Sequence, residues 1–185
     1  MPAIAGVKLA TAAVGLRYSQ RLDVMFVETA PGTSVAGALT RSQTASAPVL
    51  WCRKALKHGA ARGLVVNSGN ANVFTGEAGV RAVAATAKTA AGLLGCAQKD
   101  VFVSSTGVIG EDLPVQKILD RLPGMNADLK PGDWESGARA IMTTDTFPKG
   151  SVAEAKIAGK SVTIAGIAKG SGMIAPNMAT MLAYV

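Results

Sequence analysis

Apolar positions follow two kinds of pattern along this chain, and the change from one to the other draws the elements. Short unbroken apolar runs bounded by turn residues predict buried strands. They are Asp23-Val24-Met25-Phe26-Val27-Glu28, closed by Pro31-Gly32, then Leu64-Val65-Val66, then Asp100-Val101-Phe102-Val103-Ser104-Ser105. Residues 35–40 (Val-Ala-Gly-Ala-Leu-Thr) read as a further strand, the antiparallel neighbour of the 23–28 run. Apolar residues recurring every three or four positions predict helices. One opens at Ser46-Ala47-Pro48, where Ser46 suits the N-cap and Pro48 the first turn. Val49, Cys52 and Leu56, with Leu50, form its apolar side, Arg53, Lys54 and Lys57 face water, and Gly59 ends it. A second helix runs from about Gly76 to Leu94, capped by Thr75 and stopped by Gly95. Its apolar stripe is Val80, Val83, Ala84, Ala87, Ala91 and Leu94, with Arg81 and Lys88 outside. Val115 to Leu122 is a short helix after Pro114, residues 123–134 are a Pro/Gly loop, and Trp134 to Met142 is a fourth helix. Residues 153–168 alternate around Gly159-Lys160, which marks a hairpin. Strands and helices are thus mixed, an α/β chain, and the pattern alone goes no further.

Composition narrows the class. At 185 residues the chain is about one domain long. Apolar residues make up 49% but aromatics only 4%, so small side chains carry the core and suit close packing of helices on sheets. The net charge of +7 and pI near 9.7 raise the question of nucleic acid. The Lys and Arg residues are scattered, with no run and no interleaved aromatics, so they read as a solvated surface with a general attraction for anions. Cys52 and Cys96 have neither zinc nor CxxC spacing and read as buried, reduced thiols of a cytosolic protein. The N-terminus lacks a signal-peptide pattern, and no uncharged apolar run reaches the ~18 residues of a membrane helix. Neither a nucleic acid nor a membrane is expected as a partner.

Four stretches carry candidate chemistry. Residues 169–182 begin Lys169-Gly170-Ser171-Gly172 and continue through Pro176 and Asn177 to Ala179-Thr180. As bare sequence this is a Gly-rich turn feeding a buried element, or a tight loop presenting a hydroxyl nucleophile. Asn67-Ser68-Gly69-Asn70-Ala71-Asn72 is an Asn-rich turn. Thr106-Gly107-Val108-Ile109-Gly110 follows a strand and, as bare sequence, reads as a Gly turn between a strand and a helix. Met142-Thr143-Thr144-Asp145, two hydroxyls and a carboxylate in a row, reads by itself as a helix C-terminus or cap. His58, the sole histidine, sits in the last turn of its helix and reads as a surface or capping residue, which leaves no histidine for a Ser-His-Asp arrangement.

Taken together, these motifs resemble those of the ornithine acetyltransferase family, the bifunctional glutamate N-acetyltransferases of arginine biosynthesis. The similarity covers nearly the whole chain. It implies self-cleavage between Ala179 and Thr180, with the new N-terminal Thr180 as acyl-transfer nucleophile. It implies an oxyanion hole built by Thr106 and Gly107, substrate binding by Thr143, Lys169 and Thr180, and an Asn67–Asn72 segment beside the site. The implied fold is a layered α-β-β-α sandwich with mixed or antiparallel sheets and outer helices, and a strand and turn in residues 4–18. The family precursor is about twice as long, so residues 1–179 would be an α chain and residues 180–185 the start of a β chain. The implied partners are N-acetylornithine, glutamate and that β chain in an α2β2 heterotetramer, in the cytoplasm. No cofactor or metal is implied, and acetyl-CoA is possible as a second acetyl donor. The other reading is a self-processing aminopeptidase or amidase of similar architecture.

Overall fold

The computed structural model describes residues 1–172 and 181–185. Four strands form the first sheet: β1 (Val7–Ala12), β2 (Val24–Thr29), β3 (Gly63–Asn70) and β4 (Val101–Val108). Their order is β1-β2-β3-β4, antiparallel except for the parallel β3–β4 pair. A parallel pair needs a crossover, and α2 (Gly76–Leu94) supplies it. The second sheet is β5 (Lys149–Ile157), β6 (Lys160–Lys169) and β7 (Leu182–Tyr184), antiparallel in that order. Three more α-helices are α1 (Ala47–Ala55), α3 (Val115–Ala127) and α4 (Trp134–Ala140), and short 3-10 helices follow α1 at Leu56–His58 and precede β4 at Gln98–Asp100.

The unbroken apolar run of β2 explains the layering. Successive side chains point to opposite faces of a sheet. Val24 and Phe26 enter a core with Val83, Ala87 and Ala90 of α2 and Ile118, Leu122 and Met125 of α3. Met25 and Val27 enter a second core with Ala138 and Ile141, Ile167 of β6 and, at its margin, Tyr184 of β7. A strand covered on both faces has no polar side to show. The stacking is therefore helices, first sheet, second sheet. Helix α1 flanks the first sheet through Cys52 and Ala55 on Phe102 of β4. No helix among the described residues is long and apolar enough to cross a membrane.

Local signals are often met. Ser46 accepts from the Val49 amide at 3.5 Å, and Gly59 and Gly95 end their helical segments at φ 66° and 60°. The β5–β6 turn places Ala158 and Gly159 at φ 49° and 78°, the two positive angles that a tight two-residue hairpin turn requires.

Four expectations are corrected. Residues 35–40 are not a strand beside β2, because both edges of β2 are taken by β1 and β3. Val35 and Leu39 instead pack on the α1 core. Asn67–Asn70 continue β3 rather than turning, since β4 pairs with their backbone. Helix α3 runs through Pro123 to Ala127, because Ile118, Leu122 and Met125 all reach the core on one helical face. In α2 the buried stripe is rotated towards Ala82, Thr86 and Ala90, leaving Val80 half exposed, and Thr75 sits at the N-cap without a side-chain bond to the helix.

Candidate active site

The end of β4 lies against the end of β3, with Gly69 opposite Gly107. Gly107 has φ 135°, and a Cβ there would stand 2.3 Å from the Gly69 carbonyl carbon and 2.6 Å from the Asn70 nitrogen. Only glycine fits this approach. The asparagines beside it form a brace. Asn67 Nδ2 donates to the Asn70 carbonyl at 2.8 Å, and the Ser105 hydroxyl donates to Asn67 Oδ1 at 2.6 Å. Asn70 donates to the Glu111 carbonyl at 3.0 Å and accepts from the Asn72 amide at 2.8 Å. Asn72 donates to the Gly79 carbonyl at 3.1 Å. Buried amides are satisfied this way, and the brace pins the β4 exit to the start of α2.

Thr106, 1% exposed, precedes that glycine. Lys169, at the end of β6 and 3% exposed, brings its ammonium 3.3 Å from Thr106 Oγ1 and 2.6 Å from Thr143 Oγ1. Thr143 lies in the loop after α4, whose carbonyls at Met142 and Thr143 accept from the Arg21 guanidinium. Asp145, in the same loop, is enclosed and bonded on both oxygens. Oδ1 accepts from Lys149 Nζ and from the Gly170 amide, each at 2.7 Å, and Oδ2 accepts from the Thr143 amide at 3.2 Å. Lys169 Nζ stands 4.0 Å from Oδ2. A further link joins the Thr144 and Ser171 hydroxyls at 3.0 Å.

Electrostatics follow from this packing. Burial alone pushes the Asp145 carboxyl up, but the Lys149 ammonium, the Gly170 and Thr143 amides and the Lys169 charge outweigh it and hold it at about 2. Burial pushes Lys169 down, Asp145 lifts it, and the Lys149 and Arg21 charges push it down again.

Three expected site residues, Thr106, Thr143 and Lys169, thus meet, with Gly107 directly beside Thr106. Ala179 and Thr180 lie outside the described residues. Lys169 is the Cα partner of Leu182 in the β6–β7 pair, so the chain on either side of residues 173–180 is joined next to the site. Three contributors were missed as such: Asp145, Lys149 and Arg21. Asp145 stood in a quoted motif, but its carboxylate bonds to residues on both sides in sequence, which no spacing rule marks.

Two stacked sheets with flanking helices, gathering two threonine hydroxyls and a buried lysine from two strands and a loop, define an α/β protein with a polar centre suited to holding a small ionic ligand. The ArgJ family model matches residues 8–185, and the chain belongs to that family. It is 56% identical over 182 residues to the arginine biosynthesis bifunctional protein ArgJ of Gluconobacter oxydans (strain 621H), covering 98% of this chain and 43% of that protein. It is 55% identical over 185 residues to the protein of that name from Bradyrhizobium diazoefficiens, covering 100% of this chain and 45% of the relative. The chain therefore spans less than half the length of these relatives. Its fold matches the crystal structure of ornithine acetyltransferase complexed with ornithine from Mycobacterium tuberculosis, with TM-score 0.85, 36% identity, and 96% of this chain and 94% of that one covered. It matches the crystal structure of the ArgJ protein from Bacillus halodurans equally well, with TM-score 0.85, 33% identity, and 95% and 92% covered.

Proposed function

We propose that this chain forms the first half of a self-processing acyltransferase that moves acetyl from N-acetylornithine to glutamate in arginine biosynthesis. In the full-length protein the Ala179–Thr180 bond is cut and Thr180 becomes the N-terminal nucleophile. Its α-amine, with an ordinary pKa of roughly 7.7–8.0, serves as the local base. Thr180 attacks the acetyl carbonyl, Thr106 and Gly107 stabilise the oxyanion, and ornithine leaves. Glutamate then takes the acetyl group. Thr143 and Lys169 hold the amino-acid substrate, with Lys169 on a carboxylate. Acetyl-CoA is a possible second donor, and the chemistry needs no cofactor. The β chain, starting at Thr180, joins the α chain in an α2β2 heterotetramer of the cytoplasm.

One observation carries the reading. Thr106, Thr143 and Lys169 come from motifs 63 and 26 positions apart from the lysine, yet its ammonium reaches both hydroxyls. Thr180 stands two positions before Leu182, the Cα partner of that lysine. Membership of the ArgJ family favours this reading over an aminopeptidase or amidase.

Thr180→Ala in the full-length protein tests it. Intact-mass measurement is expected to find wild type cut at Ala179–Thr180 and the variant in one piece, and ornithine release from N-acetylornithine is expected only from wild type. A wild-type protein that stays uncut, or a variant that still transfers acetyl, overturns the reading.

A further inference from the structure

We propose that Asp145 is a positioning residue for acyl transfer: its single buried carboxylate fixes the Thr143 amide, the Gly170 amide and the Lys149 ammonium, and so sets Lys169 between the Thr143 and Thr106 hydroxyls. The inference rests on the acyl-transfer reading above.

The geometry is specific to the site. The Asp145 side chain is 0% exposed, and a buried carboxylate is tolerated only when paired and hydrogen-bonded. One cation would answer that need, and Lys149 at 2.7 Å provides it. The remaining contacts go elsewhere. The Thr143 amide belongs to one of the two hydroxyl residues that Lys169 touches, and the Gly170 amide belongs to the residue directly after Lys169. One carboxylate therefore ties together the loop after α4, the first residue of β5 and the exit of β6. Shifting any of the three moves Thr143 relative to Lys169.

The division of labour around Lys169 points the same way. At 4.0 Å from Oδ2 the ammonium has Asp145 as a charge partner, and closer contacts with described residues run to Thr143 and Thr106. Asp145 compensates the charge without competing for the lysine's hydrogens. Among the described residues, the charged groups that bear on Lys169 are Asp145, Lys149 and Arg21. Three cations thus meet one anion, and the local excess of positive charge suits a substrate carboxylate.

This arrangement gives a readout that a merely structural residue would not move. Lys169 must stay charged to hold a carboxylate, so kcat/KM has an alkaline limb where it loses its proton. Asp145 lifts the lysine pKa and Lys149 depresses it. Asp145→Asn, which keeps the shape and one acceptor oxygen, is expected to move the limb to lower pH. Lys149→Met removes a like charge and is expected to move it to higher pH.

The experiment measures kcat and KM for N-acetylornithine from about pH 6 to about pH 10, with thermal melts, on full-length wild type, Asp145→Asn and Lys149→Met. The expected result is opposite shifts of the alkaline limb, with a loss of kcat/KM on the order of 10²-fold in Asp145→Asn at neutral pH. Variants that melt earlier but keep the wild-type limb make Asp145 structural only and overturn the inference. Should Asp145→Asn fail to fold, Lys149→Met decides alone: an upward shift supports the inference and an unmoved limb overturns it. A wild-type protein without transfer brings down the acyl-transfer reading and this inference with it, whereas active wild type with unshifted variants overturns this inference alone.

Discussion

The role proposed for Thr106 rests on the direction of one hydrogen bond. An ammonium only donates, so the Thr106 hydroxyl accepts from Lys169 and directs its own hydrogen elsewhere. A hydroxyl oriented in this way is preorganised to donate to an oxyanion. Thr106→Ala is therefore expected to lower kcat about 10²–10³-fold while leaving KM near its wild-type value, because the lost donor acts mainly in the transition state. Steady-state kinetics on the full-length variant check this, and a raised KM with kcat unchanged would make Thr106 a substrate-binding residue. At this scale the sequence pointed to Thr106, Thr143 and Lys169 through the resemblance of their motifs to a family's, since each motif alone also fits a turn or a helix end. It was silent on Arg21, which acts through carbonyls at Met142 and Thr143 more than a hundred positions away. Backbone carbonyls exist at every residue, so nothing in the sequence singles out the two that Arg21 finds.

Among elements, the β3–β4 pair does most to build the centre. Its parallel register brings Gly69 against Gly107, and a Cβ on Gly107 would collide with the Gly69 and Asn70 backbone, whereas one on Gly69 would meet Arg17. Gly107→Ala is expected to destabilise the protein by about 3 kcal/mol, since overpacking and a strained φ each cost 1–3 kcal/mol. Gly92→Ala is the matching control. Gly92 lies within α2 with nothing within 4 Å of a built Cβ, so alanine there is expected to stabilise by about 1 kcal/mol. Chemical denaturation of both variants checks the opposite signs. The element pattern was legible where one residue type forces the outcome, as with the αL caps at Gly59 and Gly95. It failed where tertiary pairing decides. Residues 35–40 have a strand's composition, but β2 has no edge left for them. Pro123 signals a helix end, but burial of Met125 beyond it outweighs the lost hydrogen bond.

For the whole molecule, the contact between the two sheets is not fully closed. A cavity of about 580 Å³ lies there, lined by Val27, Leu39, Phe102, Ile164 and Tyr184 among others. Val152, Ile157 and Ile164 of the β5–β6 hairpin are also exposed. Apolar surface left to water in this way promotes association and binds apolar dyes. Residues 1–185 expressed by themselves are therefore expected to enhance the fluorescence of an apolar dye such as ANS more than the full-length protein does. They are also expected to release no ornithine from N-acetylornithine with glutamate present. The physical reason is positioning: holding reacting groups together supplies about 7 kcal/mol or more of a barrier, and the β6–β7 pair fixes the chain after Thr180 by three registered residues only. Both quantities are measured on the same preparation. Equal dye emission would mean that the sheet interface closes without further chain, and turnover matching the full-length protein would mean that these residues contain the complete site.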